Sequence, residues 1–390
     1  MKPGLRMSLL VILLCGLMAC TTRTVTTGQV SSAVLFLATQ GNTSIQAYAA
    51  TLSSGAVNPA GDLLPTGSMP FSIAVTPSLK ALFLDNNESK TIYVYNINSD
   101  GTLSATNNSA STGTQPTGMA IDPAGKFLFV ANQGSSNVSV YSIDGTTLTE
   151  VPGSPFTTIP PGSTTATLPT AVAVSASGNF LYVANNFTNS VSAFQIGSSG
   201  ALTSLGASPY TAGLAPSGLG IIPSGGFLYV ANSGSNNVSA YAICDKVVTS
   251  CVNPNSPDGT LTPVAGSPFS AGIGPVAIAT DPNFNFLYVL DKQSSQISEY
   301  SYSPGSGVLS VLSSPAVSTG LTPFSFVVIA GATGSSAGTT LTNPVDYVFV
   351  ANNGASTVSA FSLNTTTGIL TPVGQPTTIA GGNPSGLAAN

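Results

Sequence analysis

The chain has 390 residues, of which 42% are hydrophobic and only 5% charged, and its formal net charge is −5. The hydrophobic content excludes disorder, which needs low hydrophobicity and high charge, and the lack of any basic cluster argues against a nucleic-acid partner. Histidine is absent and Arg6 and Arg23 are the only arginines. The body from residue 24 onward therefore has no His-dependent triad, His-ligated metal or bidentate Arg clamp.

Lys2 and Arg6 precede an apolar run from Met7 to Met18 that is too short to span a bilayer as a helix. The run ends in Leu17-Met18-Ala19-Cys20, which resembles the lipobox of bacterial lipoproteins. The other reading is an ordinary signal peptide with a chance cysteine. The resemblance implies a signal peptide over 1–19, a lipidated Cys20 with its linker over 20–31, and a folded body over 32–390. Membrane contact would then be through the lipid anchor on the cell envelope. Thr21, where an Asp would retain the protein at the inner membrane, favours the outer membrane, on its periplasmic or surface side. Residues 21–31 would extend roughly 35 Å from the bilayer.

From residue 32 the chain repeats. A short aromatic phrase recurs as LFLATQ at 35–40, LFLDNN at 82–87, LFVANQ at 128–133, LYVANN at 181–186, LYVANS at 228–233, LYVLDK at 287–292 and VFVANN at 348–353. Each aromatic is followed nine residues later by a β-branched residue, as in Phe36/Ile45 and Phe129/Val138, which implies one recurring tight turn. A proline-led segment such as PTGMAIDPAGK at 116–126 precedes the phrase, and an alternating segment such as NVSVYSI at 137–143 follows it. A fourth strand ends near Gly-Ser-Pro-Phe, as at 153–156. Gly (41) and Pro (28) supply the turns between these short strands. Four strands per unit is propeller-blade composition. The continuous apolar second strand suits burial between blades and the alternating third strand suits half-exposure. The first unit lacks a proline-led strand, and Pro384-Ser385-Gly386-Leu387-Ala388-Ala389 supplies one at the end of the chain. The expected fold is all-β, a monomeric seven-bladed β-propeller closed by its C-terminal strand.

The aromatic phrase and the proline-led strand resemble the seven-bladed lactonase-like propellers, which include 6-phosphogluconolactonase and the Tyr-Val-Thr-Asn repeat surface proteins. The resemblance covers about residues 32–390. It implies a central channel with the turns after the second and fourth strands at one mouth. Thr39, Asn86, Asn132, Asn185, Asn232 and Asn352 begin the first of these turns, and Lys292 lies in the turn of the sixth blade. Such amides can bind a sugar or lactone, or they can cap the turn. Two turns depart from the repeat by carrying charge: Asp85, Glu88 and Lys90 in blade 2, and Asp291 and Lys292 in blade 6. Asp85 and Asp291 are the catalytic candidates, able to hold a divalent cation or activate water, and solvated surface charge is the other reading. No metal or cofactor is otherwise called for. Phosphosugar lactonases of this type would be expected to use His and Arg, which this body lacks.

Three inserts lengthen the repeat, at Pro155–Leu168, Cys244–Pro257 and Gly331–Pro344. Cys244 and Cys251 are close in sequence in an exported chain, which predicts a disulfide rather than a metal site. Their loop falls between third and fourth strands, on the face opposite the amide mouth. The functional expectation is a non-catalytic envelope scaffold that binds a protein or carbohydrate partner. The alternative is a lactonase-like hydrolase opening a neutral lactone with a carboxylate-bound divalent metal.

Overall fold

The aromatic phrase becomes the second strand of every blade because both of its faces are covered. In Ala81–Asn86, Phe127–Asn132, Phe180–Asn185, Phe227–Asn232 and Phe286–Asp291 every residue is buried. Successive side chains of a strand point to opposite faces, so alternate residues pack on the two neighbouring blades. Phe129 and Ala131 of blade 3 share a core with Leu181 and Val183 of blade 4. Leu128 and Val130 pack backwards on Phe83 of blade 2. The same pattern runs round the ring until Phe349 and Ala351 of blade 7 meet Leu35 and Leu37 of blade 1.

The computed structural model describes residues 32–389 apart from 53, 249–250, 252–255, 282–285, 313–315, 331–334, 337–338 and 341–345. The leader, Cys20 and its linker, and most of the Gly331–Pro344 insert lie outside the described residues. None of the described residues is helical. Seven antiparallel sheets form the blades, and each inner strand is proline-led: Pro70–Val75, Pro116–Ile121, Pro169–Val174, Pro216–Ile221, Pro275–Thr280 and Pro323–Ile329 in blades 2 to 7. The inner strand of blade 1 is Pro384–Ala389, which pairs with Ser32–Thr39 through Leu35↔Ala389, Phe36↔Ala388 and Leu37↔Leu387. The ring closes there as the sequence predicts.

Two expectations need correction. The third strands are mostly buried rather than half-exposed, for example Ser190–Ile196 and Asn237–Ile243. The serines that stay inside, such as Ser192 and Ser239, are held there by the Asn185 and Asn232 amides. The outer strand is continuous only in blade 2, at Leu103–Ser111. Elsewhere among the described residues it is two short pieces on one third strand, such as Thr147–Glu150 and Phe156–Thr157. Between the two pieces the third-strand N–H loses its backbone acceptor, and in three blades the serine before a proline supplies one. Ser154, Ser208 and Ser267 each accept a hydrogen bond from a third-strand N–H, those of Val140, Ala193 and Ala240, at 2.9 Å.

Two rings of left-handed residues mark the amide face. One precedes the third strand at Thr43, Lys90, Ser136, Asn189, Asn236, Ser295 and Ser356, with φ of 50–56°. The other precedes the inner-strand proline and includes Met69, Gln115, Leu168, Ala215, Thr322 and Asn383. Residues 32 and 389 lie on the opposite face, because Ser32 starts a strand that Thr39 finishes at the amide mouth, and Ala389 pairs with Leu35 of that strand. The Cys244–Cys251 disulfide forms as expected, with a Cα–Cα distance of 4.4 Å, on that same opposite face.

Candidate functional site

The inner strands enclose a central cavity of about 780 Å³. Their first residue after proline is Thr117, Thr170, Ser217 or Ser385 in four blades, and each hydroxyl donates to the proline carbonyl of the next blade. The acceptors are Pro169 at 3.2 Å, Pro216 at 2.9 Å, Pro275 at 2.7 Å and Pro70 at 2.7 Å. These bonds join neighbouring inner strands and leave apolar residues such as Ile73, Met119, Leu219 and Ile278 along the walls.

The predicted ring of amides lies one layer behind this wall. Asn86, Asn132, Asn185, Asn232 and Asn352 are fully buried. The Asn132 amide donates to Asn137 Oδ1 at 2.8 Å and Ser139 Oγ at 2.9 Å, and that of Asn232 to Asn237 Oδ1 and Ser239 Oγ, both at 2.9 Å. Asn185 and Asn352 repeat the pattern with Ser192 and Ser359, each at 2.8 Å. Asn86 instead donates to the Thr91 carbonyl at 3.2 Å, and buried Thr39 bonds Ser44 Oγ at 2.8 Å. The turn residue that reaches the cavity is the next one along, as in Asn87, Gln133 and Lys292. Asn87 and its counterparts Gln40, Asn186 and Asn353 donate to the next blade's proline carbonyl at 2.8–3.2 Å.

Asp85 and Asp291 are also fully buried, each inside its own blade. Asp85 Oδ1 accepts the Ser72 N–H at 2.7 Å where the inner strand of blade 2 bulges away from the ladder between Pro70 and Ile73. Asp291 Oδ2 accepts the Ser298 hydroxyl at 2.6 Å. Burial pushes the Asp85 carboxyl up to about 7, against the lowering effect of the Ser72 and Phe71 N–H groups. Burial likewise pushes Asp291 up to about 6, opposed by Ser298, Gly272 and Gln296. Asp85 Oδ2 and Asp291 Oδ1 accept no hydrogen bond from the described residues. No three carboxylate or thiol groups cluster to hold a metal ion among the described residues. With one carboxylate enclosed in blade 2 and the other in blade 6, this pair does not fit a shared divalent cation.

Two cavity residues escaped the sequence reading, and they stand beside Lys292, which it had placed at the mouth. Phe71 and Phe324 replace the Ser/Thr after proline in blades 2 and 7, and their rings meet edge to face at 4.9 Å and 83°. Half-buried Lys292 places Nζ 4.9 Å from the centre of the Phe324 ring. The signal for the two aromatics was present as a departure from the repeat at one fixed position.

The family model described as "Lactonase, 7-bladed beta-propeller" matches residues 31–152, 152–247 and 244–388. Among solved structures, a putative 6-phosphogluconolactonase from Bacteroides uniformis is similar with a TM-score of 0.73 and 17% identity, covering 92% of this chain and 100% of that one. A second putative 6-phosphogluconolactonase, from Bacteroides fragilis, gives 0.72 and 18%, with 92% and 98% covered. The periplasmic gluconolactonase PpgL of Pseudomonas aeruginosa gives 0.70 and 20%, with 92% and 99% covered. At such identities the likeness to these structures is one of fold. No curated protein matches the sequence significantly.

Proposed function

Because the chain belongs to the lactonase family of seven-bladed β-propellers, we propose that it keeps the family's channel as a binding site and does not turn its ligand over. The observation that carries this reading is the burial of Asp85 and Asp291. Each is enclosed in its own blade and hydrogen-bonded there, whereas the cavity walls offer apolar surface, hydroxyls, amides, the Lys292 ammonium and the Asp122 carboxylate, whose Oδ1 is taken up by the Lys126 and Phe127 N–H groups. A general base has to come within hydrogen-bond reach of the proton it takes, and neither Asp85 nor Asp291 lines the cavity. The leader supports the rest of the proposal: export, lipidation at Cys20 and display on the cell envelope. The disulfide-closed loop, with exposed Val247 and Val248, is the surface proposed for a protein or carbohydrate partner.

Family membership and the fold shared with a periplasmic gluconolactonase favour hydrolysis of a neutral lactone as the second reading. A lactone panel assayed with and without divalent metal separates the two. We expect no turnover by the wild type above that of an Asp85→Ala, Asp291→Ala variant. Turnover that the double variant loses would reverse the assignment. Cys20→Ser should move the protein from membrane to soluble fraction; unchanged fractionation would reject the lipid anchor.

A further inference from the structure

We infer that Lys292, Phe324 and Phe71 form a recognition site for a monocarboxylate carried on a planar apolar body, an inference that rests on the channel being a binding site. Lys292 is the only cationic side chain lining the cavity among the described residues. Its ammonium makes no hydrogen bond or ion pair with another described residue and is held instead over the Phe324 ring. Asp291, its neighbour in sequence, is turned into the blade toward Ser298. A cation over an aromatic face keeps its charge available, and low-dielectric walls strengthen its attraction for an incoming anion. One lysine without an arginine matches one negative charge; a dianionic phosphate would be left half-neutralised.

The rest of the site selects the body of the ligand. Phe324 and Phe71 stand at right angles across blade 1 and offer a ring face and a ring edge. Gly386 of blade 1 lets the inner strand of blade 2 approach closely, since an added Cβ would lie 2.8 Å from Ile73 Cγ1 and 3.3 Å from the Phe71 carbonyl oxygen. Asp85 braces the same wall from behind by holding the Ser72 N–H. The Ser72 hydroxyl and the Gln133 amide line the cavity without a partner among the described residues. Both can donate to carboxylate oxygens.

Calorimetric titration of the full chain with benzoate, its uncharged counterpart benzamide and glucono-δ-lactone tests the assignment. Benzoate should bind at least about tenfold more tightly than benzamide, and its affinity should fall as salt rises. Lys292→Met should remove that difference without changing benzamide binding, Lys292→Arg should keep it, and Phe324→Leu should weaken both aromatic ligands. Melting curves of each variant establish that it is folded. Equal affinity for benzoate and benzamide, or full benzoate affinity in Lys292→Met, overturns the inference. So does lactone binding with no benzoate binding, which would leave the channel reading itself intact.

Discussion

Asn132 and Ser139 act as one unit, an amide at the end of the second strand and a hydroxyl two places into the third. Blade 6 breaks the unit by substitution, since Asp291 accepts from Ser298 where an asparagine would donate. The cost of this exchange depends on pH. Asp291, Asp85 and Glu299 all have carboxyls raised by burial, to about 6, 7 and 7. Each therefore binds a proton in the folded state at pH values where the unfolded chain has already lost it. Stability that is present below about pH 4 is then lost as the pH rises through about 6 to 7. The melting temperature should be higher at pH 5 than at pH 8. Asp291→Asn should raise it at pH 8, leave it nearly unchanged at pH 4 and flatten the profile. A profile that rises toward pH 8, or an Asp291→Asn variant that melts lower at pH 8, would contradict this account. The recurring asparagine was legible in the sequence. The direction of its side chain was not, because strand ends in a bulged ladder shift which residue faces the channel.

At the scale of the element, the second strand was the most readable part of the chain, since an unbroken apolar run bounded by turns has few other homes. The third strand misled because alternation ordinarily means one wet face, and here Ser192, Ser239 and Ser359 are buried under asparagine amides. The outer strand misled because in three described blades a Ser-Pro step divides it, and there the serine hydroxyl takes the third-strand N–H in place of a backbone carbonyl. The disulfide loop is peripheral to all of this. Cys244 and Cys251 are seven residues apart, so their bond removes about 2–3 kcal/mol of loop entropy from the unfolded chain. Reduction, or a Cys244→Ser, Cys251→Ser variant, should lower the melting temperature by only about 3 °C and leave the far-ultraviolet spectrum unchanged. Global unfolding on reduction would mean that the loop supports the ring.

For the whole molecule, the seven shared cores make every blade depend on two neighbours, so the ring has no blade that is stable by its own contacts alone. The C-terminal strand belongs to two of those cores, through Leu387 and Ala389 on the blade 7 side and Ala388 on the blade 2 side. Deleting residues 384–390 should therefore remove cooperative melting and expose an aggregation-prone edge. A truncated protein that melts like the full chain would contradict closure by this strand. The closing pair also has a direction. Because Ser32–Thr39 and Pro384–Ala389 run antiparallel, residue 32 and residue 389 leave from the same end of the seam. A force applied between residues 32 and 389 would load the seam one hydrogen-bonded pair at a time, as a zipper is opened, rather than in shear across all its bonds at once. The ring that is thermally knit by seven cores is thus mechanically weakest at the joint between Ser32–Thr39 and Pro384–Ala389.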